Sequence, residues 1–158
     1  MQTARGLVEL IGNTPLVRVN CFETKGSELW LKLESNNPGG SIKDRIAVRM
    51  IDAAEEEGLL TPGGTIVEPT SGNTGISFAA IGRALGHPVT VFMPDWMSSE
   101  RIALMSSFGA SVVLVSKADG GFLGSIARAD EMKSANPRTF LPHQFSNEAN
   151  INAHFTGT

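Results

Sequence analysis

A lysine stands at the start of a predicted helix, where its positive charge is unfavourable. The stretch "NNPGGSIKDR" (36–45) combines a turn signal with Ser41 as the predicted N-cap, so that Ile42 and Lys43 become the first helical residues. The helix N-terminus is the positive end of the macrodipole and disfavours a cation by roughly 0.3–1 kcal/mol. Most lysines simply keep a solvated ammonium. Desolvation at a helix N-terminus lowers the pKa of an amine, however, so Lys43 is a candidate Schiff-base nucleophile.

A second stretch, "EPTSGNTG" (68–75), has the composition of an anion site. It lies between a predicted strand at 65–69 and a predicted helix at 73–86, and it combines glycines, small hydroxyls and an asparagine. Backbone N–H groups converge at such a turn and can hold a carboxylate or phosphate. The structural alternative is a capped helix with Ser71 or Asn73 as the N-cap, and the residues alone do not separate the two interpretations.

Two further stretches carry weaker signals. The glycine-rich turn "DGGFLGS" (119–125) lacks the spacing of a dinucleotide fingerprint and the lysine of a nucleotide-phosphate loop, so we interpret it as structural. His143 and Gln144 follow a short predicted strand and should lie at the carboxyl edge of the sheet. A lone histidine there is more often hydrogen-bonded than catalytic, whereas Gln144 could donate to an anionic ligand.

The elements that position these residues alternate between strands and helices. This order predicts an α/β fold with a parallel twisted sheet covered by helices on both faces, whose ligands bind beyond the carboxyl ends of the strands. The predicted strands are 15–20, 28–34, 65–69, 88–94, 111–116 and 138–142, and the predicted helices are 42–58, 73–86, 98–109 and 121–135, with a further element beginning at 149.

The first predicted helix, 42–58, is amphipathic. One stripe should be buried and the charged residues should lie largely elsewhere. The buried stripe comprises Ala47, Met50, Ile51 and Ala54, and the charged set comprises Asp44, Arg45, Asp52, Glu55 and Glu56.

Composition excludes several function classes. The net charge of -3, with no basic cluster, argues against a nucleic-acid partner. No apolar run is long enough to span a bilayer, and three scattered histidines with one cysteine show no metal-ligand spacing. The single cysteine, Cys21, cannot form an internal disulfide, which favours a reducing, cytoplasmic location.

Four separated motifs resemble one known family. They are "IGNTPLVRV" (11–19), "KLESNNPGGSIKDR" (32–45), "EPTSGNTGIS" (68–77) and "MPDWMSSERIALMSSFGA" (93–110). Together they are similar to the cysteine synthase group of pyridoxal-phosphate enzymes, which share the tryptophan-synthase-β-like fold with cystathionine β-synthase. The resemblance runs over essentially the whole chain, in the expected order.

The resemblance implies specific roles. Lys43 matches the lysine that binds pyridoxal 5'-phosphate covalently and later moves the substrate α-proton. Asn73 matches the asparagine beside the 3′ oxygen of the cofactor. The loop formed by Thr70, Ser71, Gly72, Asn73 and Thr74 matches the one that grips the substrate α-carboxylate, and Gln144 matches a glutamine that helps to hold it.

The implied reaction is β-replacement, with an O-activated serine and sulfide as the substrates. O-acetyl-L-serine or O-phospho-L-serine would lose its β-substituent, and sulfide would add to the β-carbon to give L-cysteine. Lys43 acts first as base and then as acid. The resemblance also implies a homodimer for the full-length enzyme.

Domain organisation follows from the same resemblance. Residues 1–43 would contribute to a larger cofactor domain, 44–147 would form a small mobile subdomain that closes over the substrate, and 148–158 would begin the return to the larger domain. Family members with two domains of ~150 residues would be about twice this length, so the fold would be incomplete here. The phosphate cradle and the residue facing the pyridine nitrogen would lie beyond Thr158. Exposed sheet edges and uncovered apolar faces then predict poor solubility or self-association.

Alternatives remain open within and outside this enzyme class. Cystathionine β-synthase, an L-cysteine lyase releasing hydrogen sulfide, a diaminopropionate synthase and a threonine dehydratase share these motifs. A non-catalytic fragment that keeps the fold is the alternative from a different class. A nucleotide-binding domain is disfavoured because "DGGFLGS" supplies no phosphate loop.

Overall fold

Strands and helices alternate around two separate β-sheets. The computed structural model describes residues 3–158. The strands are β1 (Leu16–Val19), β2 (Leu29–Lys32), β3 (Thr65–Pro69), β4 (Val89–Pro94), β5 (Ser111–Val115) and β6 (Thr139–Phe140). The helices are α1 (Lys43–Glu56), α2 (Asn73–Ala84), α3 (Ser99–Ser107), α4 (Gly121–Ala135) and α5 (Glu148–Gly157). Two short 3-10 helices lie at Leu7–Leu10 and Glu34–Asn36. Every predicted element is present, most of them one or two residues shorter at an end.

The larger sheet has four parallel strands in the order β5-β4-β3-β6. Ile66 on β3 belongs to a core cluster with α1 and α2 on one face. Its neighbour Val67 points to the other face and clusters with Ala129 of α4. Because successive strand residues face opposite sides, an apolar run such as 65–67 needs a helix on each side. The predicted parallel sheet with helices on both faces is confirmed.

Helix α1 packs as its sequence pattern predicts, with two exceptions. The stripe of Ala47, Met50, Ile51 and Ala54 is at most 3% exposed. Asp44 and Arg45, which the pattern predicts to lie off this stripe, are nevertheless buried too, at 1% and 5% exposed. Both side chains find polar partners on neighbouring segments, which offsets the cost of removing their charges from water.

The start of α1 also differs from the prediction. Ile42, rather than Ser41, occupies the N-cap position, and no side chain caps the helix there. The Ser41 hydroxyl instead accepts a hydrogen bond from the Lys43 backbone N–H at 3.2 Å. Lys43 is therefore the first helical residue, one position closer to the positive end of the helix than predicted.

Strands β1 and β2 form a separate antiparallel pair, in which Val17 lies opposite Leu31 and Arg18 opposite Trp30. Apolar side chains remain exposed on this pair: Leu16, Val17, Trp30 and Leu31 are between 44% and 60% exposed. An exposed two-stranded pair of this kind offers both apolar surface and unpaired backbone groups to another chain. The predicted uncovered apolar surface is therefore confirmed.

We expect this surface to drive self-association. Replacing Trp30 by lysine should weaken the association constant by about 10-fold or more, because burying a large apolar side chain contributes about 1.5–3 kcal/mol. Sedimentation velocity over a concentration series measures the change. The matched control is Leu123→Lys, since Leu123 is an apolar residue that is 75% exposed on α4, away from the β1–β2 pair. An equal effect of both variants would contradict a role for the β1–β2 surface.

Within residues 3–158, no helix combines the length and apolar character that crossing a membrane requires.

Candidate active site

The loops after β3 and β6 meet at the carboxyl edge of the parallel sheet. The Thr74 hydroxyl, in the first turn of α2, donates to Gln144 Oε1 at 2.9 Å. Both residues are buried, and Gln144 follows β6 by four positions. The prediction that Gln144 lies at this edge is confirmed. Its hydrogen bond to Thr74 links it to the 70–74 loop, although the two residues are 70 positions apart in the sequence. His143 beside it is exposed and has a positive φ of 50°.

The 70–74 loop leaves two of its polar side chains, those of Ser71 and Asn73, without partners among residues 3–158. Gly72 occupies the N-cap of α2 with no side-chain cap, so the alternative in which Ser71 or Asn73 caps this helix is wrong. The Thr70 hydroxyl accepts from the Gly72 N–H at 3.3 Å and tightens the turn. Among residues 3–158, the Ser71 and Asn73 side chains have no hydrogen-bond partner, and Asn73 is exposed. The first-turn N–H groups and two side chains thus remain open to an anion.

Lys43 lies half-buried at the first position of α1. Within the part of the chain that the structure describes, its ammonium forms neither an ion pair nor a hydrogen bond. Its positive charge is close enough to Glu68, near the end of β3, to oppose the rise in the pKa of that carboxyl. Lys43 therefore belongs to the same edge of the sheet as the 70–74 loop.

Asp44 links the turn that precedes Lys43 to helix α2. One carboxylate oxygen accepts from the Gly39 N–H and the other from the Ser77 hydroxyl, each at 2.5 Å. The glycine turn, the start of α1 and the first turns of α2 are therefore joined through one buried side chain. Sequence reasoning missed this role. The sequence shows only an acidic residue in the first turn of a helix, and the helix macrodipole alone already explains an acid at that position.

Gly39 has no room for a side chain. A Cβ added there would lie 2.3 Å from Asp44 Oδ1. We expect Gly39→Ala to destabilise the chain by about 1–3 kcal/mol, as overpacking does in a filled core. Urea unfolding monitored by circular dichroism measures this. The control is Gly6→Ala, where the added Cβ meets nothing within 4 Å and the change should stay within about 0.5 kcal/mol. Similar effects at both glycines would contradict the proposed contact with Asp44.

Glu68 is a buried carboxyl that sequence reasoning also missed. It is 2% exposed, and its Oε1 accepts from Gln144 Nε2 at 2.6 Å. Its second oxygen has no hydrogen-bond partner within residues 3–158. Burial raises the pKa of Glu68 to about 8. The available signal was a glutamate inside a strand that is otherwise apolar, since glutamate is almost never fully buried without a partner.

A cavity of about 240 Å³ opens beside Glu68 and Gln144. Its wall is mostly apolar, with Ile126 and Leu141 among the residues that line it. A mostly apolar pocket with a few converging polar groups is the usual form of a small-molecule site. The cavity therefore has the size and the chemistry for a small ligand with one polar end.

A partly buried ion pair ties this region to the N-terminal segment and to α5. Arg45 Nε donates to Glu34 Oε2 at 2.6 Å, and a second guanidinium nitrogen donates to the Gly157 carbonyl. The Thr14 hydroxyl donates to Glu34 at 2.5 Å. The Arg45 hydrogen bond, with help from the Thr14 and Asn37 hydrogen bonds, lowers the pKa of Glu34 to about 2. Sequence reasoning missed this network because its members are far apart in the chain.

The glycine-rich turn at 119–125 is shaped by packing. A Cβ on Gly121 would lie 2.4 Å from the Trp96 ring, and one on Gly124 would meet the Asp119 carbonyl oxygen. Both glycines therefore allow close approach of neighbouring groups, as the structural interpretation predicts. No group of three or more potential metal ligands occurs among residues 3–158.

Comparisons with known proteins agree on one family. Residues 7–158 match the family described as "Pyridoxal-phosphate dependent enzyme". A cysteine synthase of a Flavobacterium species is 46% identical over 151 residues, which are 96% of this chain and 49% of that protein. The chain thus spans about half the length of this relative.

Solved structures show the same likeness. The crystal structure of a hydrogen sulfide-producing enzyme from Fusobacterium nucleatum superposes with a TM-score of 0.92 at 43% identity, covering 99% of this chain and 51% of that one. An O-ureido-L-serine synthase superposes with a TM-score of 0.91 at 38% identity, covering 99% of this chain and 49% of that one.

Proposed function

The chain belongs to the family of pyridoxal-phosphate-dependent enzymes, and from that membership we propose that it serves β-replacement on an O-activated L-serine. Sulfide would replace the β-substituent of O-acetyl-L-serine or O-phospho-L-serine and give L-cysteine. One observation carries the proposal: within residues 3–158 the Lys43 amine is unpaired, and it shares a sheet edge with the 70–74 loop, which the Thr74–Gln144 hydrogen bond joins to the segment after β6.

The residues present fit the aldehyde end of the cofactor. The Lys43 amine has no partner among residues 3–158 that would hold it in the charged form. An unpaired primary amine is the group that condenses with an aldehyde. The exposed Asn73 side chain can donate to a ring oxygen beside that aldehyde. When bound, the cofactor supplies an electron sink for the electrons of the breaking Cα–H bond.

The chain's own residues would then bind and orient the amino acid. The first-turn N–H groups of α2, that of Thr74 among them, and the side chains of Ser71 and Asn73 would hold the α-carboxylate, with Gln144 donating from the other side. Lys43 Nζ would take the α-proton and later return it, first as base and then as acid.

The proposed organisation follows the domains expected from the sequence. Residues 44–147 would move as a small subdomain and close when the 70–74 loop binds carboxylate. Residues 1–43 and 148–158 would belong to a larger cofactor-binding domain, and the whole enzyme would be a homodimer in the cytoplasm.

A second candidate is supported by the hydrogen sulfide-producing enzyme to which the chain is similar. In that reaction L-cysteine would be the substrate, and sulfide would leave from its β-carbon. The two candidates use the same lysine and carboxylate loop, and they differ in which β-substituent leaves. Incubation of the pyridoxal-phosphate-loaded chain with O-acetyl-L-serine and sulfide, and separately with L-cysteine, discriminates them by the product formed.

The decisive experiment is chemical trapping. The chain is incubated with pyridoxal phosphate, reduced with borohydride, and mapped by peptide mass spectrometry. A single modification on Lys43 is the expected result. Modification scattered over Lys25, Lys32, Lys117 and Lys133, or none at all, would overturn the proposal for this chain and favour a non-catalytic fragment of the fold.

A further inference from the structure

Glu68 lies behind the proposed carboxylate site and touches it through a single side chain. Its Oε1 accepts from Gln144 Nε2 at 2.6 Å, while Gln144 Oε1 accepts from the Thr74 hydroxyl at 2.9 Å. In this arrangement the amide nitrogen of Gln144 faces Glu68 and its oxygen faces Thr74. A primary amide nitrogen carries two N–H groups, and only one is used on Glu68, so the second remains for a ligand.

The surroundings of Glu68 favour its neutral form. Its Oε2 is buried without a hydrogen-bond partner within residues 3–158, and an ionised oxygen in that state would be strongly destabilised. Three titratable groups face this region. Lys43 on α1 lowers the pKa of Glu68 but is outweighed by burial, and Asp130 on α4 and His143 after β6 line the adjoining cavity. The resulting pKa of about 8 agrees with the geometry.

The charge of Glu68 affects whether Gln144 can bind a carboxylate. A carboxylate at Glu68 would repel a second carboxylate bound on the other side of the Gln144 amide, because the two charges would interact through a poorly screened interior. It would also supply Lys43 with a counter-ion and favour the ammonium. A neutral Glu68 accepts the Gln144 hydrogen bond without repelling a bound carboxylate and without pairing with Lys43.

We propose that Glu68 is a positioning residue that acts through Gln144: as a neutral acid, it holds the amide with its free N–H toward a ligand carboxylate and leaves Lys43 without a counter-ion. The identity of that ligand, an amino-acid carboxylate, rests on the proposed function. The positioning itself does not require the cofactor.

The test uses acetate as a carboxylate probe on the chain without cofactor. Acetate affinity is measured by NMR titration that follows the backbone amide signals of residues 70–74 and, in variants that retain Gln144, its side-chain amide signals. Glu68→Gln, a neutral isostere, should keep the dissociation constant within about 2-fold at pH 7, and Glu68→Ala should raise it about 10-fold through loss of the orienting hydrogen bond. In the wild type, acetate binding should weaken as pH rises through about 8, and in Glu68→Gln it should not.

Two further measurements separate positioning from general stability. In a Gln144→Ala background, Glu68→Gln and Glu68→Ala should have equal acetate affinities, because the residue through which Glu68 acts is gone. The infrared spectrum at pH 7 should contain a protonated-carboxyl band that is absent in Glu68→Gln. If Glu68→Ala does not fold, the infrared band of the wild type and the acetate titration of Glu68→Gln still test the inference.

Several results would overturn the inference. They are the absence of the protonated-carboxyl band, a loss of affinity in Glu68→Gln as large as that in Glu68→Ala, or no acetate binding to the wild type. Failure of the proposed function is a different result, namely the lack of a trapped adduct on Lys43. A Glu68-dependent acetate site without that adduct would leave this inference standing and remove the proposed reaction.

Discussion

Replacing Lys43 by alanine should abolish the trapped pyridoxal-phosphate adduct and lower L-cysteine formation by about 10²–10⁴-fold, the usual contribution of a positioned acid–base group. The reason is that Nζ would be both the condensing amine and the carrier of the α-proton. The adduct is quantified by peptide mass spectrometry and the product by a thiol assay. Lys117→Ala is the control. Lys117 is a surface lysine whose charge lies 5.3 Å from the centre of the Trp96 ring, and its loss should leave both measurements unchanged.

The same substitution should not destabilise the protein. Lys43 places a cation at the first position of α1, so Lys43→Ala removes an unfavourable interaction of roughly 0.3–1 kcal/mol with the helix macrodipole. The melting temperature should rise by about 1–4 °C in a chain of this size. Lys43→Arg keeps the cation and should show no rise, yet it should also lose the adduct. A fall in the melting temperature of Lys43→Ala would indicate a structural lysine and contradict the proposed role.

Replacing Arg45 by leucine should have the largest effect on stability. The guanidinium is the main partner of Glu34 and donates to the Gly157 carbonyl, so its loss leaves a poorly solvated carboxylate and a free carbonyl. Breaking a fully buried pair costs about 3–5 kcal/mol, and because Glu34 is only partly buried we expect a loss of about 2–3 kcal/mol. Urea unfolding monitored by circular dichroism gives the change. Arg49→Leu is the matched control, because Arg49 is exposed on the same helix and should change stability by about 0.5 kcal/mol or less.

The pH dependence of stability gives an independent check on this ion pair. The pKa of Glu34 is about 2 in the folded chain against its usual 4.5, so folding favours its ionised form. That stabilisation is complete above about pH 4.5 and is lost as the pH falls through about 2. The gap in unfolding free energy between wild type and Arg45→Leu should therefore narrow across this window. A gap of constant size down to pH 2 would show that the lost stability does not come from the Glu34 charge.

Much of the fold was predictable because its signals are local. The apolar runs at 65–67 and 89–93 and the stripe of α1 require burial whatever their partners are, so element types and the two-faced parallel sheet follow from them. The placement of Gln144 was predictable for a related reason. A residue that directly follows a parallel strand must lie at the carboxyl edge of the sheet, near the loops that follow its neighbours.

The sequence did not reveal which polar groups pair when they are far apart in the chain. Asp44 and Arg45 are charged residues off the apolar stripe of α1, and their burial is explained by partners elsewhere in the chain, among them Ser77, Glu34 and Gly157. Helix capping failed for a similar reason: Ser41 has the right chemistry, but the Asp44 contact with Gly39 sets the turn before α1. Strand β6 is limited to two residues because it pairs with β3 at only two positions.

The contact between Arg45 and Gly157 also sets an order of events during synthesis. The two residues are 112 positions apart, so ribosomes working at about 5–20 residues per second add Gly157 roughly 6–22 s after Arg45. Throughout that interval the helix that carries Lys43 lacks its packing against α5. The surface of α1 that packs against α5 therefore stays uncovered in the nascent chain for several seconds. During that time, chaperones that recognise exposed apolar surface can bind this helix before the site assembles.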